Sequence, residues 1–185
     1  MGMFLQNVLI LDCDEMTAKA ALKKVEQISD SSMLELVPNE CRFQQFPKGI
    51  SILLNDRCCG YDSLAQILSE TTMKPVMLLY IYDDDFWGYC FCDKGKPLDV
   101  FTPMPDYFEE VSEKTRQEVS GDSSLIASYF KVDEEEIKNY LIIWDEEKME
   151  NFEEKAYPDD ECGQCDSWQV VDFMRKLGFP YEWDS

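Results

Sequence analysis

Three groups of residues have the type and spacing for chemistry. Asp83, Asp84 and Asp85 stand in a row directly after an apolar run, Val76 to Tyr82. Carboxylates gathered in one loop can hold a hard divalent cation or share hydrolytic work. Successive side chains of an extended segment point opposite ways, however, so all three reach one ion only if the loop curls. Cys162-Gly163-Gln164-Cys165 is a CxxC ahead of a helical pattern, where the helix dipole favours a thiolate and so a redox pair. The acids around it oppose that charge. Cys90 and Cys92 place two thiols on one face of a strand, and with Cys162 and Cys165 they form a candidate four-cysteine zinc set. Their spacing departs from paired CxxC knuckles.

Other chemistry is excluded by what is missing. The sequence contains no histidine, which removes Ser-His-Asp and Cys-His nucleophile systems and every His-containing zinc site. Neither GxGxxG nor GxxxxGK[ST] occurs, so the glycine-rich phosphate cradles are absent. No catalytic residue and no cofactor is assigned. Phe86, Trp87 and Tyr89, beside Asp83 to Asp85, instead make a mixed aromatic and acidic edge. Trp and Tyr are enriched at interface hot spots, so this edge suits a protein partner.

Charge points the same way. The formal charge is −21, and residues 81–185 carry −18 of it, with 10 basic and 28 acidic side chains. A field of this sign repels nucleic-acid phosphates and steers in a basic protein. Crowded acids, densest at Asp133 to Glu136 and Glu153 to Glu161, are expected to raise each other's pKa and to favour folding as pH falls towards about 5. No run is long enough to span a membrane, and Met1 to Leu11 lacks the basic start and apolar length of a signal peptide. A cytoplasmic protein is expected, its eight cysteines present as thiols. The sequence sets no oligomeric state.

These groups need a scaffold to position them. Asn7 to Leu11 reads as a strand, followed by a helix capped by Asp12 or Asp14, with Ala18, Ala21, Leu22, Val25 and Ile28 on one face. Ser29 to Ser32 breaks it. Cys41 to Phe46 and Ile50 to Leu54 read as strands joined by Pro47-Lys48-Gly49. A second helix capped near Asp62 and Ser63 leads to the central strand, Val76 to Tyr82. Phe86 to Cys92 and Leu98 to Thr102 extend it as a meander, turning at Asp93-Lys94-Gly95-Lys96. The order β-α-β-β-α-β predicts an α+β, ferredoxin-like (split βαβ) or related mixed or antiparallel sheet with a hairpin extension. A C-terminal group of short helices follows: one capped at Asp122 or Ser123, one with a capping box from Asp133 to Glu136, and a last one from near Ser167 to Gly178. Residues 1–108 form the sheet part and 109–185 an acidic helical part packed on the same sheet, together one domain.

Tyr82-Asp83-Asp84, Gly88-Tyr89, Gly95, Asp99, Phe101 and Pro105-Asp106-Tyr107-Phe108 resemble a family of uncharacterised small acidic bacterial proteins of the Firmicutes type. The likeness continues through Leu125 to Trp144 and Trp168 to Pro180. It carries no activity and no functional residues. In size and charge such proteins look like the immunity proteins of bacterial toxin systems. The function expected is therefore a non-enzymatic interaction module, an immunity protein or regulator that binds a basic protein. The alternatives are a carboxylate- or metal-dependent enzyme using the Asp83 to Asp85 loop, and a thiol redox sensor.

Overall fold

The computed structural model describes residues 2–28, 35–58, 60–150 and 154–183; the expected break at Ser29 to Ser32, and Cys59 and Glu153, lie outside the described residues. The fold is α+β. Its strands are β1 (Leu5–Leu11), β2 (Arg42–Phe46), β3 (Gly49–Leu53), β4 (Pro75–Tyr82), β5 (Phe86–Asp93) and β6 (Lys96–Phe101). They form one antiparallel sheet in the order β2-β3-β1-β4-β5-β6. The first four are compatible with the split βαβ arrangement: β3 lies between β1 and β2, and β1 between β3 and β4. β5 and β6 are the expected hairpin extension.

The chain divides into two compact units, one of residues 4–80 and 89–99, the other of residues 1–3, 81–88 and 100–185. In the first, helix α1 (Glu15–Ile28) and helix α2 (Tyr61–Thr72) carry the apolar faces. Ala18, Ala21, Leu22 and Val25 of α1 and Leu64, Ala65 and Leu68 of α2 join alternate strand residues in one core: Val8 and Ile10, Ile50 and Ile52, Val76 and Leu78, Cys90 and Cys92. This is the period of two that a pleated strand imposes. The intervening Leu9, Met77, Leu79 and Phe91 are also buried, which explains why the central strands read as unbroken apolar runs. Asp14 caps α1, accepting from Thr17 N at 2.7 Å. α2 differs from expectation: Gly60 occupies its N-cap, and Asp62 lies inside the first turn, where it accepts from Cys90 Sγ at 2.6 Å.

The second unit is built on aromatic contacts. Trp87 packs against Phe101 at 5.0 Å and Phe173 at 5.2 Å between ring centroids, and Phe173 against Tyr140 at 5.6 Å. Around them lie α3 (Glu113–Glu118), α4 (Ser123–Phe130), α5 (Glu146–Glu150) and α6 (Gln169–Leu177). Asp122 caps α4 through Leu125 N at 2.9 Å. The helix expected after Asp133 is instead two 3-10 turns, Glu134–Glu136 and Lys138–Tyr140. Asp133 caps the first through Glu135 N at 3.0 Å, a tighter reach than the capping box needs.

Candidate functional site

The expected binding residues separate into a buried set and an exposed set. Trp87 is fully buried, with Nε1 donating to Gln169 Oε1 at 3.3 Å. Tyr89 is fully buried too, and its hydroxyl donates to Asp99 at 2.6 Å. Neither offers side-chain surface to a partner. The spacing that suggested an aromatic edge is that of strand β5, whose residues here are buried on both faces.

Asp83, Asp84 and Asp85 form the β4–β5 turn. Asp83 and Asp84 have φ of 51° and 62°, and Asp85 N donates to Tyr82 O at 2.9 Å. Two left-handed residues in succession match the hairpin twist but strain a side chain other than glycine, by about 1–2 kcal/mol each. The N-terminal segment holds this geometry in place. Met3 N donates to Asp84 Oδ2 at 2.9 Å, and Asp84 N donates back to Met3 O at 3.1 Å. Gly2 makes the approach possible, since a Cβ there would stand 2.2 Å from Asp83 O.

Beside the turn sits an aromatic cluster that the sequence motifs only half revealed. Tyr82 contacts Phe86 at 5.5 Å, Tyr107 at 5.7 Å and Phe108 at 5.3 Å between centroids. Tyr107 and Phe108 meet edge to face at 4.9 Å. Edge-to-face rings place positive edges on negative faces, which fixes the cluster's shape. Phe86 is buried beneath it, whereas Phe108 is 71% exposed at its surface. The Tyr107 hydroxyl donates to Asp85, and that bond pushes the phenol pKa up to about 12. Asp84 and Asp85 are exposed and Asp83 half-buried. The tip therefore offers an aromatic surface rimmed by three carboxylates. Tyr107 and Phe108 belong to this site although sequence reasoning left them out. Their signal was an aromatic pair directly after Pro103 and Pro105, where a chain leaves a sheet.

Among the described residues no three His, Cys, Asp or Glu come together as a group that could hold a metal ion. Asp84 and Asp85 are instead bonded to Met3 N and the Tyr107 hydroxyl. Cys90, Cys92, Cys162 and Cys165 are free thiols. Burial pushes Cys92 and Cys165 up to about 11 and Cys162 to about 12, and Cys90 is raised further by burial and Asp62. Each is protonated at neutral pH, whereas a reactive thiol needs the thiolate.

A second polar cluster stands in the acidic segment before α6. Asp172, on α6, accepts from Glu161 N at 3.0 Å, from Cys162 N at 2.8 Å and from Arg175 at 3.1 Å. Asp160 accepts from the Tyr140 hydroxyl, from Tyr157 N at 2.9 Å and from Arg175 at 3.3 Å. Arg175 and Lys176 both hold Asp159, whose carboxyl falls to about 2. Burial raises Asp160, and burial with the Asp160 hydrogen bond raises Tyr140. The Glu161 N and Cys162 N bonds to Asp172 and the Arg175 and Lys176 bonds to Asp159 and Asp160 hold residues 159–162 against α6, whereas Asp172–Arg175 lies within α6 and Tyr157 N–Asp160 within one turn.

Among the described residues no helix is long and apolar enough to cross a membrane. The chain matches no protein-family model, and no curated protein or solved structure matches it significantly.

Proposed function

We propose that the protein is a non-enzymatic interaction module, an immunity protein or regulator that masks a basic surface on a protein partner. The observation that carries this reading is Phe108, 71% exposed on an aromatic cluster beside Asp83, Asp84 and Asp85. An exposed ring flanked by carboxylates fits an Arg or Lys side chain: the ring face attracts the cation, and the acids neutralise it. The unit bearing the tip carries 8 basic and 26 acidic side chains, a field that would speed the approach of such a partner.

The test is affinity capture from native cytosol at low and high salt. The parent protein is compared with Phe108→Ala and with the Asp84→Asn, Asp85→Asn double variant. A partner retained by the parent at low salt should be basic and should be lost from both variants. Retention that ignores both salt and the variants would sink the reading.

A further inference from the structure

The unit opposite in charge character carries a second kind of surface. Residues 4–80 and 89–99 hold 9 basic and 12 acidic side chains, close to balance in a chain of net −21. β2 ends the strand order, so among the described residues no strand pairs with its outer side. Its register with β3 closes on Phe46 opposite Gly49, across the two-residue turn Pro47-Lys48. In such a hairpin the closing pair is hydrogen-bonded and the pattern then alternates. Arg42, Gln44 and Phe46 therefore direct their backbone groups to β3, and the N–H and C=O of Phe43 and Gln45 face outwards.

A groove runs beside these outward groups. It is lined by Lys19 and Lys23 of α1, Pro38 and Asn39 of a 3-10 turn, and Cys41 and Phe43. Lys19 Nζ lies 5.0 Å above the Phe43 ring and also pairs with Glu15. Lys23 is exposed and makes no ion pair among the described residues. An unpaired strand edge is a template for an added strand, and alternate side chains of that strand enter whatever lies beside it. Here that is a mixed groove, with Pro38 and Phe43 beside Asn39 and the ammonium groups of Lys19 and Lys23.

We propose that the β2 edge binds an extended acidic segment of a partner protein as an added antiparallel or parallel strand, with acidic side chains directed to Lys19 and Lys23. Main-chain bonds to Phe43 and Gln45 supply affinity, and the lysines select the charge. The net charge opposes approach from a distance, but screening over about 8 Å at physiological salt leaves the local lysines to set the field at the edge. A second copy of the chain is a poorer occupant, because edge-to-edge pairing would bring two sets of these lysines together and join two chains of net −21.

The probe is a fluorescein-labelled alternating valine–glutamate peptide, read by anisotropy on the full chain, with a valine–lysine peptide as control. The glutamate peptide should bind and the lysine peptide should not. Gln45→Pro removes one outward N–H and leaves the β2–β3 ladder intact, since proline is tolerated where the N–H faces solvent. Gln45→Ala controls for the lost side chain. Binding should weaken about tenfold in Gln45→Pro relative to Gln45→Ala, as expected for one unmade backbone bond. Lys23→Glu, which leaves the strand untouched, should weaken it at least about fivefold. No binding of the glutamate peptide to the parent, equal binding of both peptides, or no loss in Lys23→Glu would overturn the proposal. So would a dimer in sedimentation that Gln45→Pro disperses, which would assign the edge to self-association.

Discussion

Trp87 Nε1 donates to Gln169 Oε1 at 3.3 Å, joining β5 to the first residue of α6 across 82 positions of sequence. Both residues are fully buried, and among the described residues Gln169 Nε2 has no hydrogen-bond partner. The bond therefore leaves one buried donor unmatched. Trp87→Ala should cost about 3–5 kcal/mol, because it empties the centre of the aromatic core. Gln169→Met should cost less than about 1 kcal/mol, since it exchanges one unpaired buried donor for another. Denaturant unfolding checks both. A larger loss for Gln169→Met than for Trp87→Ala would show that the polar contact, and not packing, holds this core.

Asp172 is buried in the middle of α6 and accepts the backbone N–H groups of Glu161 and Cys162. Asp172→Ala leaves both unpaired, at a cost of about 2–4 kcal/mol. Hydrogen exchange should rise at Glu161 and Cys162 well before the strands exchange. Unchanged protection at those amides would mean that the segment is held by other contacts.

The response to acid follows from the carboxylates whose environments depart from the ordinary. Asp159 is lowered to about 2 by Lys176 and Arg175. Asp14 is lowered by Thr17 N, Asp122 by Leu125 N and Asp145 by Lys148. A lowered folded pKa contributes stability that is present above about pH 4 and lost as pH falls towards about 2. Asp160 is raised by burial, so its protonation acts in the opposite sense and favours the folded state. Donors lower the first four, while burial raises Asp160 and the like charge of Asp172 adds to that rise. Stability should fall between about pH 4 and about pH 2, and Asp159→Asn should flatten that fall. Melts of the parent and of Asp159→Asn across this range decide it. Equal slopes would remove Asp159 as a contributor.

Thiol reactivity gives a direct test of the redox alternative. With Cys162 pushed up to about 12 and Cys165 to about 11, iodoacetamide should label the native protein at neutral pH far more slowly than the unfolded chain. Mass spectrometry locates the label. Faster labelling of Cys162 or Cys165 than of free cysteine would restore the thiol-sensor reading.

The β5–β6 turn offers a prediction from backbone conformation. Lys94 and Gly95 have φ of 49° and 77°, the pattern in which Asn-Gly is favoured. Lys94→Asn should stabilise by about 0.5–1 kcal/mol. Gly95→Ala should destabilise, because its Cβ would lie 3.0 Å from Glu70 Cβ at a strained φ. A thermal shift of the same sign for both variants would contradict this turn geometry.

Local sequence determined the elements, for reasons that act over a few residues. The apolar runs of β1, β3 and β4, the caps at Asp14 and Asp122, and Gly95 in its turn are all legible, because strand preference, cap and φ depend on near neighbours. Tertiary structure decided which of these residues meet a partner. Phe86, Trp87 and Tyr89 share one strand in the sequence reading, yet burial of both faces of β5 turned Trp87 and Tyr89 into core. Phe108 stayed at the surface because the chain leaves β6 through Pro103 and returns its next aromatic pair to Tyr82. Asp172 and Arg175 look like ordinary polar residues of an amphipathic helix. Only the return of residues 159–162 to α6 gives them donors and acceptors, and no periodicity encodes a contact between segments that far from regular.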